Sequence, residues 1–239
     1  MENINQDYIE NIIFMLSIML VPGLMAITCH EVSHGFVADK LGDKTARLMG
    51  RLTLNPLKHL DLIGTLAIFI IHIGWAKPVP VNFNNLRNPK RDMIWVAAAG
   101  PLTNFILATV SALALNGLVA ITFMVPANPV LKIFIDPIIM MFAVSVYFNL
   151  ILGIFNLIPV PPLDGGRVMV GLLPYRQSVA YAGIERYGMI GILLVVLFFR
   201  GFLSNILFPP VFFGIDMLIG SKAMWYLIHN TSMQRLGIF

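Results

Sequence analysis

Five stretches of about 20 or more predominantly apolar residues, roughly 9–37, 93–124, 136–157, 184–203 and 205–226, dominate this chain. That is the length a helix needs to cross a bilayer's hydrocarbon, where each backbone N–H and C=O must be paired within its own segment. The expected fold is an all-α polytopic membrane protein with about five transmembrane helices. Composition agrees: of 239 residues, 58% are hydrophobic and 12% charged, against about a quarter charged in a soluble domain. A net charge of +4 gives no support to nucleic-acid binding.

Between the first two windows, residues 45–85 are broken by Gly50, Asn55-Pro56, Gly64, Gly74, Pro78 and Pro80 around the apolar run Thr65 to Ile73. Short strands and turns are expected there, sheltered from lipid by the protein. This connection also carries most of the basic residues: Lys40, Lys44, Arg47, Arg51, Lys58, Lys77, Arg87, Lys90 and Arg91. The positive-inside rule makes it cytoplasmic, with the N-terminus outside and the C-terminus, bearing Lys222 and Arg235, inside. The start, Met1 to Asp7, has no basic n-region and no small-residue cleavage site follows, so the first window is expected to be a retained helix. No repeat or linker interrupts the chain, and the 13 residues after the fifth window leave no expectation of a regulatory domain there.

The chemistry sits at the end of the first window, in His30-Glu31-Val32-Ser33-His34. Imidazoles at i and i+4 share a helical face and can hold zinc, and the glutamate between them can deprotonate a bound water. Zinc needs a third protein ligand, for which Asp164 is the strongest candidate. It follows Pro159, Pro161 and Pro162, which end a helix, and precedes Gly165-Gly166, which allow a tight return. A carboxylate at membrane depth is costly unless paired or bound to metal. Its bland alternative is to cap a short helix over 165–173. The single Cys29 excludes an internal disulfide and reads as helix filler beside His30, with a soft-ligand role as the alternative.

These residues, with Gly74-Trp75-Ala76-Lys77-Pro78-Val79-Pro80-Val81, Gly100-Pro101-Leu102-Thr103-Asn104 and the stretch Asn156 to Gly165, resemble the site-2 protease family of intramembrane zinc metalloproteases. The resemblance implies an integral protein of a prokaryotic cell membrane that cuts transmembrane or membrane-adjacent segments of protein substrates near the cytoplasmic leaflet. It implies one zinc on His30, His34 and Asp164, Glu31 as general base, and Asn156 facing the scissile carbonyl. It also makes residues 74–81 a membrane-associated β-hairpin whose edge receives substrate. The expected organisation is a single domain over 1–239, in a minimal form without PDZ or CBS domains. Its catalytic core spans about 9–173 and its accessory helices about 184–226, whose Gly183, Gly188, Gly191, Gly201 and Pro209-Pro210 are candidate gating points. Asn104 is expected to bond across helices near the metal, and Asn156 has helix capping or interhelical bonding as its alternative. His59, His72 and His229 read as satisfied or solvated, and Asp136, Glu185 and Asp216 as helix-end groups. The competing function is a non-hydrolytic metal-binding membrane protein or transporter, against which stand Glu31 and the lack of an inverted repeat.

Overall fold

The computed structural model describes residues 2–64, 76–125, 129–198, 201 and 203–229. In the first three windows apolar sequence becomes continuous helix: α1 is Glu2–Leu41, α2 Pro89–Met124 and α3 Pro129–Asn156. These are the three described helices long and apolar enough to cross a membrane. Each has one proline beyond its first turn, Pro22, Pro101 and Pro137, which spanning helices tolerate where neighbours satisfy the freed carbonyl. Small residues share the buried heart of the bundle, Ala108 and Ala112 of α2 with Ala143 of α3. Such residues let backbones approach closely where lipid provides no hydrophobic drive between helices. Leu16, Leu20, Leu113 and Phe134 stay exposed around the outside, as side chains facing lipid would.

Beyond α3 come α4 Asp164–Leu172, α5 Tyr175–Ala182, α6 Glu185–Phe198, α7 Phe208–Leu218 and α8 Ser221–His229. Among the described residues the expected five spans are not found. The described part of α6 has 14 residues, about 21 Å of helix against the ~30 Å hydrocarbon. The fifth window breaks into α7 and α8, whose axes differ by 113°, so the described count is three spans, or four if the bent pair is one. The break is held by Asn116 of α2, which donates from Nδ2 to the Leu218 carbonyl at 3.0 Å and accepts from the Gly220 N–H at 2.9 Å.

That break changes which end of the bundle carries Lys222. Arg87 donates to the Leu41 carbonyl, so the basic connection lies where α1 ends and α2 begins. α8 lies at the other end: Trp225 and Tyr226 pack on Phe123 near the end of α2, and the Tyr226 hydroxyl bonds Asp136 early in α3. Lys222 is therefore not on the side expected from charge; Arg235 lies outside the described residues.

No strand forms among the described residues of the connection. What remains of the expected hairpin is one antiparallel bridge between Leu60 and Ala76, with the Lys77 N–H donating to the His59 carbonyl at 2.8 Å. The apolar run and Gly74-Trp75 lie outside the described residues. Among the described residues, 77–82 are tethered largely by side chains. Arg51 Nη2 donates to the carbonyls of Lys77 (2.9 Å) and Pro78 (3.3 Å), and Asp43 accepts from the Asn82 N–H (2.7 Å).

Candidate metal centre

α1 brings His30 and His34 to one face, four residues apart, with the rings edge to face at 85°. Across from them α4 begins at Asp164. The entry to α4 depends on absent side chains. A Cβ on Gly165 would sit 2.2 Å from the Leu157 carbonyl oxygen, and one on Gly166 would sit 2.3 Å from the Pro161 nitrogen. Only glycine lets the chain fold back tightly enough to turn Asp164 inward. The N-cap position of α4 is Leu163 and Asp164 is the first residue inside the helix, so Asp164 is not its cap. It faces the imidazoles, with its Oδ2 3.1 Å from His30 Nε2 and 3.3 Å from His34 Nε2. The two Nε2 atoms are 3.1 Å apart.

These three atoms form a triangle close to the edge, ~3.3 Å, of a tetrahedron with metal bonds of ~2.0–2.1 Å. The side chains of His30, His34 and Asp164 are 8%, 12% and 11% exposed, so they are largely withdrawn from solvent. Their hydrogen bonding points to a cation. His34 Nδ1 is 2.6 Å from the Val96 carbonyl, which can only accept, so Nδ1 carries the proton. His30 Nδ1 is 2.6 Å from Asn104 Oδ1. Both Nε2 lone pairs then converge on Asp164, whose Oδ2 has no hydrogen-bond partner. Three acceptors facing one another require a metal ion or a shared proton between them. The donors present therefore fit one metal ion.

The backbone of α2 closes the site from the third side. A Cβ on Gly100 would lie 2.5 Å from both imidazoles, which gives Gly100-Pro101 a physical reason. Pairing imidazole N–H groups with a carbonyl and an amide is the usual outer support of zinc-binding histidines.

A family model, Peptidase family M50, matches residues 16–199. "Putative zinc metalloprotease YwhC" of Bacillus subtilis is 35% identical over 205 residues, covering 86% of this chain and 90% of that one. "Putative zinc metalloprotease Rip2" of Mycolicibacterium smegmatis is 31% identical over 205 residues, 83% of this chain and 73% of that one. The chain belongs to peptidase family M50. The resemblance to site-2 proteases is thereby borne out: this is an integral membrane, zinc-dependent metalloprotease, and a non-hydrolytic transporter is the wrong class. An archaeal relative, "Zinc metalloprotease MJ0392" of Methanocaldococcus jannaschii, is 25% identical over 175 residues, 73% of this chain and 40% of that one. No solved structure gives a significant match.

Around the M50 donor set, the remaining residues fall less evenly. Glu31 accepts the Val79 N–H on Oε2 at 2.8 Å, a contact the sequence did not announce. Asn156 ends α3, half-buried, with Nδ2 donating to Leu152 of its own helix at 3.0 Å; it is neither an interhelical bond nor a group turned to the donors. Its neighbour Leu157 backs against Gly165, one residue from Asp164. Cys29 is half-buried outside the donor group. His59 bonds the Thr53 carbonyl and His229 that of Trp225. His72 lies outside the described residues. Glu185 pairs with Arg167. Sequence reasoning missed Asn149, which bonds Asn104 at 2.8 Å; its signal was an amide in an apolar helix four residues after Ser145.

Proposed function

We propose that this M50 peptidase is an intramembrane endopeptidase, cutting transmembrane or membrane-adjacent segments of other proteins in regulated intramembrane proteolysis. The observation that carries this reading is where the donors converge. His30 and His34 belong to one spanning helix and pack on Gly100 of a second, about 16 Å into α2 from Pro89. A site so placed serves a substrate that arrives through the bilayer.

His30, His34 and Asp164 would hold the zinc, which when bound would supply a Lewis acid able to polarise a carbonyl and to lower the pKa of a water to about 7. Glu31, with one carboxylate oxygen held by Val79, takes the proton on the other and later returns one to the leaving amine. Asn156 donates its amide to the developing oxyanion once it turns away from Leu152. Residues 77–82 receive the substrate as an extended stretch. Pro78 and Pro80 carry no N–H and that of Val79 is held by Glu31, so the run offers mainly carbonyls, and the substrate's own N–H groups do the donating. The whole chain acts as one domain in contact with lipid and a transmembrane protein substrate. The density of Lys and Arg between α1 and α2 supports a cytoplasmic position for that connection and for the nearer mouth of the site, with the N-terminus outside.

The test is cleavage of a transmembrane substrate by purified, zinc-loaded protein beside Glu31→Gln. The variant keeps zinc and loses turnover by roughly 10²- to 10⁴-fold. Retained cleavage overturns the role given to Glu31.

A further inference from the structure

A polar chain runs from the metal donors into the apolar centre of the bundle, and its two amide links have a defined direction. Asn104 is fully buried. Its Nδ2 lies 3.2 Å from the Ala26 carbonyl and 2.8 Å from Asn149 Oδ1. A carbonyl can only accept, so the amide faces it with NH₂ and turns Oδ1 to His30. Asn149, 1% exposed, is oriented in the same way. Its Nδ2 donates to the Ser145 carbonyl at 2.9 Å and to Ser145 Oγ at 3.2 Å, leaving Oδ1 for Asn104. Ser145 Oγ lies 2.8 Å from Ser111 Oγ back on α2. Three helices are joined, and both amide groups point their N–H donors away from His30.

We infer that Asn149 is a positioning residue for the metal centre: through Asn104 it holds the His30 imidazole with its proton on Nδ1, so that Nε2 is presented to zinc. The inference rests on zinc binding by His30, His34 and Asp164. Ala26 alone holds Asn104 weakly, because its carbonyl is already the i−4 acceptor of the His30 amide in a regular helix. Without Asn149 the Asn104 amide has little to lose by flipping. A flipped amide would offer NH₂ to Nδ1, favour the proton on Nε2, and turn a metal donor into an N–H. Neither Asn149 nor Ser145 touches the metal donors, so this action is exerted at one remove.

The test is a double-mutant cycle of Asn149→Ala and Asn104→Ala in the full-length protein. Zinc loss to a competing chelator is followed for each variant, and histidine side-chain nitrogen NMR of the zinc-free protein reads the His30 tautomer. Asn149→Ala releases zinc roughly tenfold faster and populates the second tautomer, as loss of outer support for a ligand does. In the Asn104→Ala background the same change has no further effect on zinc. Asn149→Asp, which keeps an acceptor facing Asn104 and is neutral when buried, restores zinc retention. Asn149→Leu, close in volume, gives the same two readings if the alanine variant does not accumulate. An equal effect of Asn149→Ala in both backgrounds, or an unchanged tautomer, overturns the inference while zinc binding by the parent protein stands. Failure of the parent protein to bind zinc overturns the reading on which it rests, and the inference with it.

Discussion

Single residues in this molecule are constrained as much by what they lack as by what they carry. Gly100 is the clearest case. Alanine there would gain about 0.5–1 kcal/mol of helix propensity, yet its Cβ would sit 2.5 Å from both imidazoles, and overpacking of this kind costs about 1–3 kcal/mol. The clash wins, so Gly100→Ala is expected to push the rings or α2 aside and weaken zinc retention roughly 10- to 100-fold. Chelator competition checks this, and unchanged retention would mean that the rings do not lie against α2. Asn156→Ala should behave oppositely, with kcat down roughly 10²-fold and zinc unchanged, because an oxyanion donor acts mainly in the transition state. A fall in folding yield without a fall in kcat would leave Asn156 as a helix-end group. The group of His30, His34 and Asp164, which could hold a metal ion, was legible because spacing and residue type state such chemistry outright. The Asn156 geometry was not, since a motif gives no rotamer. Nor was the Glu31–Val79 bond, which joins residues 48 positions apart through a backbone group that any residue but proline supplies.

At the scale of elements, apolar length predicted the long helices well and the short ones poorly. α1, α2 and α3 are propagated by sequence that buries backbone polar groups, whereas the break in the fifth window is held by one side chain from elsewhere, Asn116. Alternation and punctuation suggested a hairpin in the connection, but its described part is held by side chains that no local pattern reveals. Asp43 is the centre of that arrangement. It is fully buried and accepts from the N–H and hydroxyl of Thr45, the N–H of Asn82 and the amide of Asn85. Burial raises its carboxyl, and these four hydrogen bonds outweigh burial, so its pKa is lowered. A lowered folded-state pKa means stability that is complete above the unfolded value of about 3.9 and lost as pH falls through the folded one. Asp43→Asn is therefore expected to lower Tm at pH 7 by on the order of 5 °C, with the difference from the parent shrinking below pH ~4. A difference constant from pH 7 to pH 3 would show that the carboxylate charge is not what binds residues 82–85 to the end of α1.

For the whole molecule, the arrangement sets a problem that chemistry at zinc does not solve. A substrate helix hides each carbonyl in an i to i+4 hydrogen bond, and attack cannot begin until that stretch is extended. Unwinding is costly in lipid because the released groups have no water. The run from Lys77 to Asn82 lies across the His30–His34 turn of α1, tied to Glu31 and Arg51, so in the proposed reading substrate engagement and the base would share one element. That run would offset part of the unwinding by accepting substrate N–H groups, and the rest would come from the substrate's own weakness as a helix. Glycine costs a helix about 1 kcal/mol relative to alanine. If unwinding limits the rate, each glycine placed beside the scissile bond should speed cleavage by roughly fivefold. Leucine-rich replacements at the same positions should slow it. Substrates graded only in helix propensity, identical at the scissile residues and compared at equal occupancy, make the measurement. Equal rates across the series would place the limiting step in entry or chemistry, and the extended run would lose its role in preparing the bond for attack.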